Sequence, residues 1–203
     1  MEALHAVEIR VLGCLLEKDI TTPEYYPLTI NALVNACNQK SSREPVVQYD
    51  DTTVEQALEL LQTKGLATRL SGAGHRVEKF GHRLGEKLNL GRREVALLCV
   101  LMLRGPQTIG ELRGRTERMH DFADLDEVTR VLESLASPDP EPLVREGSRG
   151  RWLHLLGDAT ETHIAQDDDP SPKSPRLEDR VAALEREVAE LRASLESLKR
   201  QFE

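Results

Sequence analysis

Histidine and cysteine are the residues of this chain best suited to metal binding or catalysis, but their spacing matches no catalytic motif. No HExxH, GxSxG, P-loop or GxGxxG segment occurs, and no pair of cysteines has CxxC spacing. Cys14 and Cys99 are flanked by leucines, and Cys37 lies in a short apolar helix pattern. We therefore expect three buried thiols, no resident metal or cofactor, and no enzymatic activity. The six histidines are His5, His75, His82, His120, His154 and His163.

Basic and amide side chains form the second set with chemical potential, because they bind phosphate and base edges. They occur in several separate stretches rather than in one basic domain. For each cluster taken alone, a solvated charged surface is the competing interpretation. The candidates for nucleic-acid contact are Gln39, Lys40, Arg43, Gln56, His75, Arg76, Lys79, Arg113, Arg115, Arg118, Arg145, Arg149 and Arg151.

The run at residues 38–43 is the most specific of these clusters. Asn38, Gln39, Lys40 and Arg43 flank two serines in a loop after a predicted helix. Such a donor-rich loop could hold a phosphate or a partner carboxylate. Alternatively, Asn38 and Ser41 cap the helix and brace a long loop. Both interpretations remain open from the sequence.

The elements that must position these residues occur twice. Residues 7–80 and 94–155 share four blocks in the same order, so that 11–16 matches 96–101 and 54–61 matches 128–135. Each repeat predicts three helices and then a hairpin with a Gly-rich tip, which is the order of a winged helix. The fold class is therefore predicted as mainly α (α+β), with tandem winged-helix domains.

The predicted boundaries follow from caps, glycines and prolines. Thr108 and Glu111 predict a capping box, Asp50 and Asp51 suit the start of a helix, and Gly105-Pro106 ends one. The first winged-helix unit covers residues 1–80, with helices at about 2–18, 29–37 and 51–64 and strands at 66–70 and 76–80. A connector at 81–90 leads to the second unit at 91–156, with helices at 91–104, 109–118 and 125–137 and strands at 143–145 and 151–155. An acidic, Pro-containing linker at 157–176, predicted to be flexible and disordered, precedes a helical tail at 177–203.

Charge restricts how nucleic acid could be bound. The net charge is −8, and residues 1–157 alone hold 23 acidic and 20 basic side chains. Dedicated nucleic-acid binders usually contain a basic domain, so any DNA contact must come from local patches. The longest apolar run, nine residues at 95–103, is too short to cross a membrane, and the N-terminus lacks signal-peptide features, so a cytoplasmic protein is expected.

The tail has an unbroken heptad pattern that predicts a coiled coil. Every d position is leucine and two a positions are valine, which favours a parallel homodimer. Arg180 at g faces Glu185 at e of the partner, and Glu187 faces Arg192, which fixes the register. The alternative is one amphipathic helix packed on the protein. The predicted dimerisation residues are Leu177, Val181, Leu184, Val188, Leu191, Leu195, Leu198 and Phe202.

Three runs at 11–23, 26–46 and 101–108 resemble a known family. The segment beginning Tyr26-Pro27-Leu28 and ending Glu44-Pro45-Val46 is its most specific signature. Over about residues 4–156 the chain is similar to the YceH-like family of bacterial proteins, a domain family of unknown function. The resemblance implies a tandem winged-helix fold and no catalytic residues.

Two functions remain in competition. A dimeric tandem winged-helix protein is expected to regulate transcription by binding duplex DNA. However, Glu55 and Glu59 in the third helix of the first repeat would repel phosphates, and the equivalent helix of the second repeat is also acidic. The alternative is a non-enzymatic scaffold or adaptor that docks a protein partner, because fold alone does not fix function.

Overall fold

A computed structural model describes residues 2–70, 77–137 and 141–157 of the chain. In these residues seven α-helices combine with two small antiparallel sheets, which confirms a mainly helical α+β fold. None of these helices is long and apolar enough to cross a membrane. The predicted linker after residue 157 and the predicted coiled coil, together with His75 and Arg76, lie outside the described residues.

The first repeat contains three helices followed by a two-stranded hairpin. The helix α1 begins later than predicted, because His5 and Glu8 form a capping box and Leu4 pairs with the end of the second repeat. The second strand also lies a few residues later than predicted. The elements are α1 Ala6–Thr21, α2 Ile30–Cys37, α3 Asp51–Thr63, β1 Ala67–Leu70 and β2 Lys79–His82.

The second repeat has the same order and adds one short strand. Thr108 and Glu111 form the predicted capping box at the start of α6. Both α6 and α7 end two residues earlier than predicted. The elements are the connector helix α4 Leu84–Leu88, then α5 Arg92–Arg104, β3 Gln107–Thr108, α6 Ile109–Thr116, α7 Leu125–Leu135, β4 Val144–Glu146 and β5 Arg151–His154.

The strand β3 is the one element of the second repeat that the sequence pattern does not predict. It pairs with β5 through Gln107 opposite Trp152, and β5 pairs with β4, giving the order β3-β5-β4. In the first repeat Leu28 occupies the corresponding place, as an isolated bridge to Phe80 of β2. The two repeats therefore share this third sheet contact as well as their helices.

Helices α1 and α5 pack against each other and join the cores of the two repeats. Gly13 allows the close approach, since a Cβ atom there would lie 2.8 Å from Leu103 Cδ2. Cys14 and Cys99 are fully buried beside this contact, and Cys37 is buried in α2. The contact fixes the end of α1 relative to the end of α5, and these two helix ends line the site described next.

Candidate functional site

A groove of about 270 Å³ lies between the two repeats. The C-terminal end of α1 and the α2–α3 loop line one side, and α5 with the end of α6 lines the other. We call it the basic groove, because its lining includes four basic side chains and one carboxylate. The charged and hydroxyl-bearing residues are Glu17, Lys18, Thr21, Thr22, Ser41, Ser42, Arg104, Arg115 and Arg118.

The one carboxylate of the groove is already neutralised by Arg43. Arg43 donates to both oxygens of Glu17, at 2.6 and 3.1 Å, and also to the Ala36 carbonyl and Gln39 Oε1. Burial opposes ionisation of Glu17, but the hydrogen bond and charge of Arg43 outweigh it, and the pKa of this carboxyl is lowered. Because the Arg43 side chain has no exposed surface, it is not available to a phosphate in this structure.

Other contacts also show that residues 38–49 form a braced loop. Asn38 donates from Nδ2 to the Tyr49 carbonyl and accepts from the Tyr49 amide, both at 2.8 Å. Buried Arg10 donates to the carbonyls of Cys37 and Pro45. The bracing role of Asn38 is therefore confirmed, while Lys40 remains exposed at the loop surface.

Arg104 connects the two sides of the groove. Its Nη2 donates to Ser42 Oγ at 2.7 Å, across the junction of the repeats. Burial lowers the pKa of Arg104, and the positive charges of Arg115 and Arg43 lower it further. Ser42 has φ of 60°, an uncommon conformation for serine. The groove thus holds several mutually repelling cations near a strained loop residue.

The other residues that the sequence suggested for nucleic-acid contact fall into three groups: those that line the groove, those bonded within the protein, and those on other parts of the surface. Arg115 and Arg118 line the basic groove, and Arg115 also lies 3.6 Å from Glu111. Arg113 braces the α6–α7 loop by donating to two carbonyls, and Arg151 binds Glu111 at 2.8 Å. Among the others, Arg149 and Gln56 are exposed, Gln39 lines the groove, and Lys79 and Arg145 are half-buried on their strands.

The third helices carry acidic exposed surfaces. On α3, Glu55 and Glu59 are exposed beside Leu60, whose side chain is 46% exposed. On α7, Asp126 and Glu133 are exposed, and the N-cap is Asp124. These are the helices that would enter the major groove in a winged helix, and their carboxylates oppose contact with phosphates.

Two groove residues, Lys18 and Arg104, are absent from the candidates that the sequence suggested. Both stand near the C-terminal ends of helices, where a basic residue is common and stabilises the helix dipole. Their proximity depends on the packing of α1 against α5, which no local pattern reveals. Within the described part of the chain, no three His, Cys, Asp or Glu side chains are grouped so that they could hold a metal ion.

Comparison with known proteins places this two-repeat chain in a bacterial family. A family model described as "Protein of unknown function, DUF480" matches residues 4–150, so the chain belongs to that family and the resemblance found in the sequence is confirmed. A "UPF0502 protein" of Solibacter usitatus is 53% identical over 205 residues, covering 98% of both chains. "UPF0502 protein ECA2523" of Pectobacterium atrosepticum is 44% identical over 206 residues, covering 96% of this chain and 97% of its own.

Proposed function

We propose that this protein is a non-enzymatic, tandem winged-helix protein that binds duplex DNA through phosphate contacts at the rim of the basic groove, by which we mean Lys40, Arg115 and Arg118. The observation that carries the proposal is that Arg115 and Arg118 lie at the accessible side of a groove that holds four basic side chains, in a chain whose net charge is −8. Phosphate contacts of this kind position a protein on DNA without reading its sequence.

The rim is the part of the groove that a DNA backbone could reach. Arg118 is exposed and Arg115 is partly exposed. Lys40 is also exposed, and in the sequence it lies between two lining residues of the loop. Neither Lys40 nor Arg118 forms an ion pair with any other described residue. Lys40 and Arg118 can therefore bind phosphate without first breaking an internal salt bridge.

The carboxylates of α3 and α7 determine which form of DNA binding is proposed. Placing either helix in the major groove would bring Glu59 or Glu133 toward the phosphates. We therefore assign the contact to the groove rim and not to the third helices. In this proposal the heptad tail pairs two copies, and two rims on one duplex would raise the overall affinity.

Fluorescence anisotropy with a labelled duplex tests the proposal. The double variant Arg115→Glu/Arg118→Glu should lose binding, because it replaces two phosphate contacts with repulsion. The control is Arg83→Glu, which makes one charge reversal at an exposed residue that does not line the groove. Equal binding by the double variant and the wild type would rule out the groove rim as the DNA contact.

The second candidate function is a protein adaptor, favoured by the exposed leucines of the third helices. Leu60 on α3 and Leu125 at the start of α7 are 46% and 48% exposed beside carboxylates. An apolar side chain among acidic groups suits a protein partner better than DNA. A partner whose binding is lost in Leu60→Ser, with duplex binding unchanged, would support this function.

A further inference from the structure

The inner part of the basic groove consists of Lys18, Ser42 and Arg104, which are less exposed than Lys40 and Arg118 at the rim. Its polar groups come from both repeats. Ser42 and Lys18 belong to the first repeat, and Arg104 belongs to the second. The whole groove has a volume of about 270 Å³, close to the lower limit of small-molecule sites, so a polymer could reach its rim but could not enter it. This part of the groove suits a compact ligand that touches both repeats.

The charge of this space is not balanced by the protein. Glu17, the lining carboxylate, is paired with Arg43, and Lys18 lies 3.5 Å from the same carboxylate. Glu111 approaches from α6, but it is shared between Arg115 and Arg151. Arg104 has no carboxylate within ion-pair distance among the described residues. Glu17 and Glu44 attract it from farther away, but desolvation and the repulsion from Arg115 and Arg43 outweigh that attraction. An anion would relieve this repulsion.

The hydrogen-bonding capacity also points to an anion. A hydroxyl has one proton and two lone pairs. Ser42 Oγ already accepts from Arg104, so its proton is left to donate into the groove. Arg104 has further N–H groups beyond the one it gives to Ser42, and a guanidinium binds a phosphate at two points. Donors from both repeats thus line one groove, and the carboxylate among its described lining residues is already bonded to Arg43.

We propose that the inner groove is a binding site for a small phosphate monoester, held by Arg104, Lys18 and the hydroxyl of Ser42. A monoester carries close to two negative charges at neutral pH, which matches several converging cations better than a singly charged diester. The ligand bridges the two repeats and stabilises their packing. The site goes beyond DNA binding and does not depend on it.

Titration of the full-length protein with methyl phosphate tests the site, at constant ionic strength and without DNA. The readouts are the NMR shifts of the arginine Nε–H groups and the thermal unfolding midpoint. We expect saturable binding, a raised unfolding midpoint, and weaker binding of dimethyl phosphate. Absence of saturable binding, or equal binding of the mono- and diester, would overturn the proposal.

Two variants and one control make the result specific. Arg104→Gln should weaken methyl phosphate binding by about tenfold or more, as expected for loss of a charge-assisted contact. Ser42→Gly removes the hydroxyl and suits φ of 60°, so it should fold and also bind more weakly. Arg83→Gln should bind as the wild type does. Wild-type affinity in both groove variants would contradict the site.

A parallel titration with duplex DNA separates this proposal from the preceding one. Binding of methyl phosphate without binding of duplex would contradict only the DNA proposal. Binding of duplex with no saturable response to methyl phosphate would contradict only the small-anion site.

Discussion

Arg43 and Glu17 form a two-point ion pair between the α2–α3 loop and α1, with Nη2–Oε2 at 2.6 Å and Nη1–Oε1 at 3.1 Å. The Arg43 side chain has 0% exposure, and that of Glu17 has 16%. The pair turns an arginine that the sequence suggests as a DNA contact into a structural residue. It also removes the only carboxylate among the described lining residues from competition with an anion in the basic groove.

Arg43→Met should destabilise the protein by about 3–5 kcal/mol, since it leaves the partly buried Glu17 carboxylate with only the longer 3.5 Å contact to Lys18 Nζ. Urea unfolding followed by circular dichroism measures the change. Arg83→Met is the control, because Arg83 and Glu86 form an exposed pair that contributes at most about 1 kcal/mol. A similar, small loss in both variants would show that the Arg43 pair does not support the fold.

Gly13→Ala should destabilise the junction of the two repeats by about 1–3 kcal/mol, because the added methyl group would lie 2.8 Å from Leu103 Cδ2. Gly114→Ala is the matched control. Gly114 lies in α6 with nothing within 4 Å of its added Cβ, so this variant should gain about 0.5–1 kcal/mol of helix propensity. Urea midpoints that move in the same direction would contradict the close contact of α1 with α5.

Stability should fall as the pH falls from about 6.5 toward 4, in part because of His154. Burial lowers the pKa of His154 to about 4, from 6.5 in the unfolded chain. Between these values the unfolded state binds a proton that the folded state does not, so acid favours unfolding, by up to about 1.4 kcal/mol per pH unit. Urea unfolding at several pH values should show a flatter dependence in His154→Phe. If the free energy of unfolding of His154→Phe depended on pH as steeply as that of the wild type, protonation of His154 would not contribute to the loss of stability in acid.

Leu184→Asp/Leu191→Asp should convert the protein to a monomer in light scattering, because both residues occupy d positions of the heptad pattern. Ala193→Asp is the control, since it adds a charge at an outward f position and should leave a dimer. A dimer in the double variant would move the interface to the two repeats. A monomeric wild type would contradict the coiled-coil prediction itself.

Local signals predicted most of the fold. Thr108 with Glu111 and Asp50 before α3 marked helix starts, and each cap is present. Gly105, with φ of 71°, ends α5 as expected. The sequence prediction was wrong where tertiary contacts determine whether an element forms or where it begins. The start of α1 is set by pairing of Leu4 with the Leu156 carbonyl, and β3 is too short to have a pattern of its own.

The site was less predictable, because it is formed by the packing of two repeats. A sequence does not show whether an arginine is buried, so Arg43 could not be distinguished from exposed Lys40 in the same loop. Arg104 looked like an ordinary basic residue at a helix end. Its role emerges from the 2.7 Å contact with Ser42, which joins residues 62 positions apart.

The most direct test of the central claim is the affinity of the full-length protein for duplex DNA across a salt series. If groove cations replace counterions on phosphates, the logarithm of the binding constant should fall linearly with the logarithm of salt concentration. The Arg115→Glu/Arg118→Glu variant should lose this binding, while Arg83→Glu should keep both affinity and slope. The account would be contradicted if the wild type did not bind duplex at low salt. It would also be contradicted if the wild type, Arg115→Glu/Arg118→Glu and Arg83→Glu all showed the same dependence of the binding constant on salt.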